Sequence, residues 1–315
     1  MIRVENLSKK YGSFEAIKSI NFELNDGEIV GFLGANGAGK STTLKVMTGY
    51  LSPSRGNVYL NNLNIIDHSL EIQKQIGYLP ELNPLYGEMK VFDLLEFVAQ
   101  IRQITGKNFK KSLSRVIDQC GLNGVIHKSV DECSKGYKQR LGLACAMIHD
   151  PKILILDEPV TGLDPNQIVE IRSLIKELGR EKLVLMSSHI LQEIQATVNR
   201  IIIINKGKIV ADGSNEELMK GFANNTELIL KAKNVTTDSI KALQEEMPEL
   251  IINNQKLAED SVLNLEYPNN HDLREQIFTF AVNSKWVIIE MTPKGVELEN
   301  IFRSLTNEEK NDAKL

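Results

Sequence analysis

The sequence has little cysteine: three residues in 315, Cys120, Cys133 and Cys145, with no C-x-x-C spacing among them. An odd number of thiols in stretches patterned as helix does not read as a disulfide framework. It fits buried thiols in a reducing compartment, with no metal or redox role expected. Long apolar runs are also missing. The longest, such as Ile201 to Ile204, fall far short of the roughly 18 residues a membrane-crossing helix needs, so no span is expected. Arg3 and Glu5 stand where a leader would need apolar residues, so no secretory or cleaved targeting peptide is expected and the chain reads as cytoplasmic. Blocks of Lys and Arg are absent and the formal net charge is −4, which leaves no basic footprint for nucleic acid as a main partner. Tryptophan occurs once, at Trp286. What remains is 42% hydrophobic and 25% charged residues over a length that suggests two domains, an ordinary globular composition.

Against these absences stands Gly34 to Ser41, G-A-N-G-A-G-K-S, which meets the phosphate-loop spacing G-x-x-x-x-G-K-[ST] at every fixed position. Glu28 to Leu33 before it is strand-like after an Asp26-Gly27 turn, and Ser41 to Thr48 after it can carry a helix that Gly49 stops. That strand-loop-helix context is what the motif requires. Its glycines let main-chain N–H groups wrap phosphates at a helix N-terminus, Lys40 adds a point charge, and the Ser41 hydroxyl can bind Mg²⁺. Gly34, Asn36, Gly37, Ala38, Gly39, Lys40, Ser41 and Thr42 are the expected nucleotide-binding residues.

Residues 2 to 30 alternate apolar and polar positions (Ile2, Val4; Ile20, Phe22, Leu24), the pattern of antiparallel strands. Tyr11 lies in the first turn, where an aromatic ring either stacks on a base or packs on its own sheet. Residues 57–60 and 76–79 read as short strands, the second followed by Pro80-Glu81. Residues 84–149 read as a helical insertion: Val91, Leu94, Leu95 and Val98 recur at helical spacing, Leu113, Val116 and Ile117 repeat it, and Tyr137, Leu141, Ala144, Cys145 and Ile148 mark one face of the last helix. Ser134-Lys135-Gly136, just before that helix, is either a second anion site or a plain Ser134 N-cap.

Ile153 to Leu156 is continuously apolar, as a parallel strand buried on both faces should be, and it ends in Asp157-Glu158. Two carboxylates there are costly unless they act on a cation or a proton. Asp157 can hold Mg²⁺, and Glu158 can take a proton from an attacking water. Asp164-Pro165 reads as the N-cap and first residue of a helix. Leu183 to Ser187 is another strand, and His189 follows its carboxyl end, where ligands bind in open α/β sheets and where a structural histidine also fits. Beyond a strand-turn-strand unit at 201–210, Asn224-Asn225 reads as a linker. Strands at 227–232, 250–253, 262–267 and 285–291 with helices at 238–247 and 272–282 then read as a small ferredoxin-like α+β domain. Leu298, Ile301, Phe302 and Leu305 make a last amphipathic helix before a polar tail.

The order Tyr11, GANGAGKS at 34–41, YLPE at 78–81, CSKGYKQR at 133–140, ILILDE at 153–158, TGLD at 161–164 and His189 resembles the nucleotide-binding subunit of an ABC transporter over residues 1–221. The resemblance implies an α/β P-loop ABC-type domain with an antiparallel β subdomain and the helical insertion, followed by the C-terminal domain at 226–306 and a tail at 307–315. In that family the matching positions are the adenine-stacking aromatic (Tyr11), Walker A, the Q-loop (Glu81), the signature (Ser134 and Gly136), Walker B (Asp157) with the catalytic Glu158, the D-loop (Asp164) and the switch histidine (His189). ATP and Mg²⁺ are the implied cofactors, with Ser41, Glu81 and Asp157 on the metal.

Two such domains sandwich two ATP molecules head to tail, each signature turn facing the γ-phosphate on the opposite phosphate loop. With one copy of each motif, the active unit needs two chains, expected as a homodimer, peripheral at the inner face of the membrane and driving separate integral membrane subunits. The spellings look most like the gliding-motility-associated subunits and their exporter relatives. Departures from the common pattern are Glu81 for Gln, Cys133 for Leu, Lys135 for Gly and Tyr137 for Gln. The alternative is a soluble ABC ATPase acting on ribosomes or DNA, but the paired nucleotide domains or long coiled coils of such proteins are missing. A GTPase is disfavoured because Asn205-Lys206-Gly207-Lys208 lacks the Asp that reads guanine.

Overall fold

The computed structural model describes residues 1–222, 225–256, 260–268, 271–294 and 298–307. It divides into two compact units, the first ending at Asn215 and the second beginning at Glu216, a few residues before the boundary expected at 221.

The first unit opens with β1 (Ile2–Tyr11), β2 (Phe14–Leu24), β3 (Ile29–Leu33), α1 (Lys40–Met47), β4 (Arg55–Leu60), β5 (Leu63–Asn64), α2 (Ser69–Gln73) and β6 (Ile76–Leu79). Three longer helices follow, α3 (Val91–Ile101), α4 (Gly106–Cys120) and α5 (Lys135–Met147). The unit continues with β7 (Ile153–Leu156), α6 (Pro165–Leu178), β8 (Leu183–Ser188), α7 (Leu191–Gln195), β9 (Arg200–Asn205) and β10 (Lys208–Gly213). The strands form a four-stranded antiparallel sheet, β2-β1-β4-β5, and a six-stranded sheet, β10-β9-β3-β8-β7-β6. In the larger sheet all neighbours run parallel except β10 with β9. Alternation correctly signals β1 and β2, but β3 leaves that set for the parallel sheet, where all five of its residues are buried.

Both sheets share one core. Val4, Ile20 and Phe22 from the antiparallel sheet, Phe32, Ile155, Leu185 and Ile202 from the parallel one, and Leu44 and Met47 of α1 belong to a single buried cluster, with the Phe22 and Phe32 rings 5.8 Å apart. Because α1 follows directly on the phosphate loop, its buried face fixes that loop. Truncating Leu44 to Ala should cost about 2–5 kcal/mol. The parallel register (Leu33 beside Ser188, Leu156 beside Met186, Leu79 beside Leu156) aligns the carboxyl ends of β3, β8, β7 and β6 in one row. The segments that leave this row carry the phosphate loop, His189, Asp157-Glu158 and Glu81.

The insertion is helical from Val91, later than the expected 84, with Val91, Leu94, Leu95 and Ala99 buried. Val98 is only half-buried, and Ala99 takes the inner place. In α5 the expected face holds at Leu141 and Ala144 but fails at Tyr137, which is exposed while its neighbour Gly136 takes the buried place in the first turn. β5 and α2 were not foreseen; two- and five-residue elements leave little periodicity to detect.

The second unit begins within α8 (Asn215–Phe222) and contains β11 (Asn225–Lys233), α9 (Thr237–Glu246), β12 (Ile251–Lys256), β13 (Ser261–Pro268), α10 (Arg274–Asn283), β14 (Val287–Lys294) and α11 (Leu298–Asn307). Its strands pair antiparallel in the order β12-β13-β11-β14. Leu228, Leu230, Leu263, Leu265 and Tyr267 alternate onto one face and pack with Ile240, Leu243, Ile277, Phe280 and Trp286. The Trp286 Nε1–H donates to Ser239 Oγ at 3.1 Å. Asn225, read as linker, instead opens β11 opposite Pro268. Residue 224, and the polar tail beyond 307, lie outside the described residues.

Candidate active site

The loop between β3 and α1 turns through left-handed backbone at Gly37 (φ 79°) and Gly39 (φ 112°). A Cβ on Gly39 would lie 2.8 Å from the Ala16 carbonyl oxygen. Both backbone angle and space therefore demand glycine there. Gly39→Ala should displace the loop and abolish ATP-dependent stabilisation in a thermal-shift titration; a normal ATP shift would refute that. The first main-chain bond closing α1 is Thr43 N–H to the Gly39 carbonyl, 2.9 Å, so the N–H groups of Lys40, Ser41 and Thr42 head the helix without an acceptor one turn back. Such a group of amides favours an anion. Lys40 is only 6% exposed, and its Nζ donates to the carbonyls of Gly34 (2.8 Å) and Ala35 (3.3 Å). Gly34 and Ala38 stand behind the loop surface: the Gly34 N–H donates to the Ser188 carbonyl at 3.3 Å, and the Ala38 carbonyl accepts from Gly207 N–H at 2.9 Å.

Asp157 is buried at the end of β7. Its Oδ1 accepts from Ser187 Oγ (2.7 Å) and Ser41 Oγ (3.1 Å), while Oδ2 is buried with no partner. A buried carboxylate oxygen left in that state calls for a cation. The hard-oxygen set of a hydroxyl and a carboxylate suits Mg²⁺. Burial, and secondarily the Asp157 charge, push the nearby Tyr78 phenol far above its usual range, so it stays protonated.

Glu158 adopts left-handed backbone (φ 51°), a strained position of the kind found at functional sites. Its carboxylate lies 3.4 Å from Lys40 Nζ and 2.9 Å from His189 Nδ1, and it accepts from Thr161 Oγ1 at 3.1 Å. That contact makes Nδ1 the protonated nitrogen of His189 and leaves Nε2 free to face a ligand. The Ser187 hydroxyl, which donates to Asp157, also accepts from the Glu158 main-chain N–H at 3.0 Å. One buried hydroxyl therefore fixes both acidic residues. Ser188 Oγ donates to the buried Glu193 (2.7 Å) and accepts from Ile190 N–H (3.0 Å), which holds the turn carrying His189.

A cavity of about 530 Å³ joins Lys40, Ser41, Glu158 and His189, with Asp157 outside its lining and bonded to Ser41. Its lining is Asn36, Gly37, Gly39, Lys40, Ser41 and Thr42 from the phosphate loop and α1, Glu81, Glu158, Thr161 and His189 from beyond the carboxyl ends of the parallel strands, and a rim of the exposed Tyr11 and Phe14 with the buried Ala16 from β1 and β2. Sequence reasoning missed Phe14 and Ser187, and it noted Thr161 only as the first residue of TGLD, without its bond to Glu158. Ser134, Gly136 and Asp164 do not line the cavity. Ser134 caps α5, accepting from Tyr137 N–H at 3.4 Å, and Asp164 caps α6, accepting from Gln167 N–H at 3.0 Å. They form a second patch, for a Cβ on Gly136 would lie 2.6 Å from the Gln167 side chain and one on Gly162 1.9 Å from Lys135 Nζ. Cys120 and Cys145 take no part in either group: desolvation pushes both up to about 12, which keeps them as unreactive thiols.

The family model for ABC transporter matches residues 17–161. YxlF of Bacillus subtilis (strain 168), an uncharacterized ABC transporter ATP-binding protein, is 37% identical over 218 residues, covering 69% of this chain and 72% of its own. The chain belongs to the ABC transporter ATP-binding proteins. Another relative, the bacitracin transport ATP-binding protein BcrA of Bacillus licheniformis, is 37% identical over 222 residues, 70% of this chain and 72% of that one. The solved dimeric structure of MJ0796, a bacterial ABC transporter cassette, shares the fold with a TM-score of 0.63 at 24% identity, over 68% of this chain and 98% of that one. As a member of that family the chain is an ATPase, and the cavity is its candidate nucleotide site. Among its described residues no helix is long and apolar enough to cross a membrane.

Proposed function

We propose that this ABC ATPase hydrolyses Mg-ATP between two copies of itself, arranged head to tail, to drive separate membrane subunits of an exporter related to the gliding-motility-associated systems. The observation that carries the catalytic part is the convergence of Lys40, Glu158 and His189 on one cavity, with the Glu158 carboxylate in contact with both the Lys40 ammonium and the His189 ring. Glu158 accepts the proton of the attacking water, His189 presents Nε2 to the γ-phosphate, and Lys40 with the leading amides of α1 holds the phosphates. Ser41, Asp157 and Glu81 would hold Mg²⁺, which neutralises phosphate charge when bound. Tyr11 stacks on the base.

Pairing is supported by the position of Ser134, Gly136 and Asp164, gathered in a patch off their own cavity, where a second copy can use them. Docking to membrane subunits is supported by the surface of the insertion and of the loop that leads into it, which leaves Leu82 (85%), Tyr86 (57%) and Ile101 (63%) exposed, with Tyr86 edge-on to Phe97. Such rings gain little from water and suit a partner's apolar helix. The membrane partners would hold the chain at the inner face. The second unit we read as a ferredoxin-like regulatory or partner-choosing domain, a reading supported by its strand-helix-strand-strand-helix-strand order and antiparallel sheet. A soluble ATPase acting on a non-membrane target is not favoured, the matched relatives being named as transporter proteins.

The test is affinity purification of the full chain from membranes, with the co-purifying integral protein identified. Tyr86→Asp with Ile101→Asp should lose that protein while the purified double variant retains ATP turnover. Undiminished co-purification would remove this surface from the interface.

A further inference from the structure

We infer that Phe14 is a second base-contacting residue, which with Tyr11 makes this cavity favour purines over pyrimidines by ring area. The inference rests on the nucleotide-hydrolysing reading of the same cavity and adds the class of base it accepts.

Phe14 and Tyr11 are directly paired across the β1–β2 hairpin. Opposed residues of an antiparallel pair project to the same side, with Cβ atoms about 4.5–5.5 Å apart. Both rings line the cavity, yet Phe14 is 62% and Tyr11 47% exposed. Neither ring is committed to the core, so both are available to what enters between the rim and the phosphate loop. Lys9 Nζ sits 5.5 Å from the Tyr11 ring centroid and is anchored by donating to the Ser52 carbonyl at 2.7 Å. One face of Tyr11 is therefore covered by a fixed ammonium, and the base has the other.

The side chains on this rim, Tyr11, Phe14 and Ala16, offer apolar area and a single hydroxyl. Stacking tolerates any base with a π-face. The larger purine gains more from two rings than a pyrimidine does. The rim thus discriminates by size.

The experiment compares the purified full chain with Phe14→Ala and Phe14→Tyr, measuring kcat and KM for ATP, GTP and CTP and the inhibition constant of Mg-tripolyphosphate, which has no base. Wild type should prefer ATP and GTP to CTP in kcat/KM. Loss of one stacking ring should raise KM for ATP and GTP alike by roughly tenfold. In that variant kcat should move far less and the tripolyphosphate constant should hold, and Phe14→Tyr should restore the wild-type KM. An unchanged ATP KM in Phe14→Ala overturns the role of Phe14, as does a tripolyphosphate constant that rises in step. A wild-type kcat/KM for CTP equal to that for ATP and GTP overturns the reading by size. The parent reading fails separately, as a wild-type chain that does not turn over ATP at all.

Discussion

Glu158→Gln should release phosphate from ATP roughly 10²–10⁴-fold more slowly than the wild type while still binding the nucleotide, the loss expected when a positioned general base can no longer accept a proton. Gln nearly matches Glu in shape, so the left-handed turn at φ 51°, the Thr161 contact and the main-chain bond to Ser187 can all survive. What changes is charge. Glu158 faces Lys40 at 3.4 Å and His189 at 2.9 Å, and neutralising it leaves both groups to the phosphates. ATP affinity should hold or rise, and ATP-loaded copies should remain paired. Asp157→Asn removes charge from the other side of Ser187, at the orphaned Oδ2, and should weaken Mg-ATP binding itself. Phosphate release measured beside equilibrium nucleotide binding separates the two. Undiminished release from Glu158→Gln would take Glu158 out of the catalytic role.

What the sequence reveals of this site is the part whose geometry is local. The phosphate loop, the Asp157-Glu158 strand end and the Asp164 cap are each defined within a few residues, and the structure has the expected strand, turn or helix at each. The same holds for the second unit, whose six main strands and helices follow the local periodicity closely. Ser187 could not be found that way. Its importance comes from β8 lying beside β7, which brings a serine 30 residues away onto Asp157. Phe14 was hidden for a related reason, since its value depends on hairpin register opposite Tyr11 and on a cavity formed with residues from β3 onward. Asn225 shows the converse error: two consecutive asparagines read as a linker, yet a ladder position opposite Pro268 decides its conformation, as sheet pairing commonly overrides propensity.

Lys40→Ala should abolish ATP turnover and lower nucleotide affinity. The ammonium is held by two loop carbonyls and by Glu158, in a site where Lys40 and Glu158 are both about 5% exposed. A charged hydrogen bond of this kind contributes about 1.5–3 kcal/mol. Losing it alone would weaken phosphate binding by roughly 10–100-fold, and loss of charge stabilisation in the transition state adds a further factor of about 10²–10³ in rate. Removal also leaves the Glu158 carboxylate buried without its lysine. The nucleotide-free protein should therefore be destabilised as well, because stranding one member of a buried ion pair costs more than deleting both. This separates the proposed arrangement from one in which Lys40 merely packs. In Glu158→Gln the carboxylate charge is already gone, so adding Lys40→Ala should lower the unfolding midpoint by clearly less than it does in the wild type. Equal shifts in the two backgrounds would mean that the pair is not coupled, and normal ATP hydrolysis by Lys40→Ala would overturn the assignment of Gly34 to Ser41 as the phosphate-binding loop.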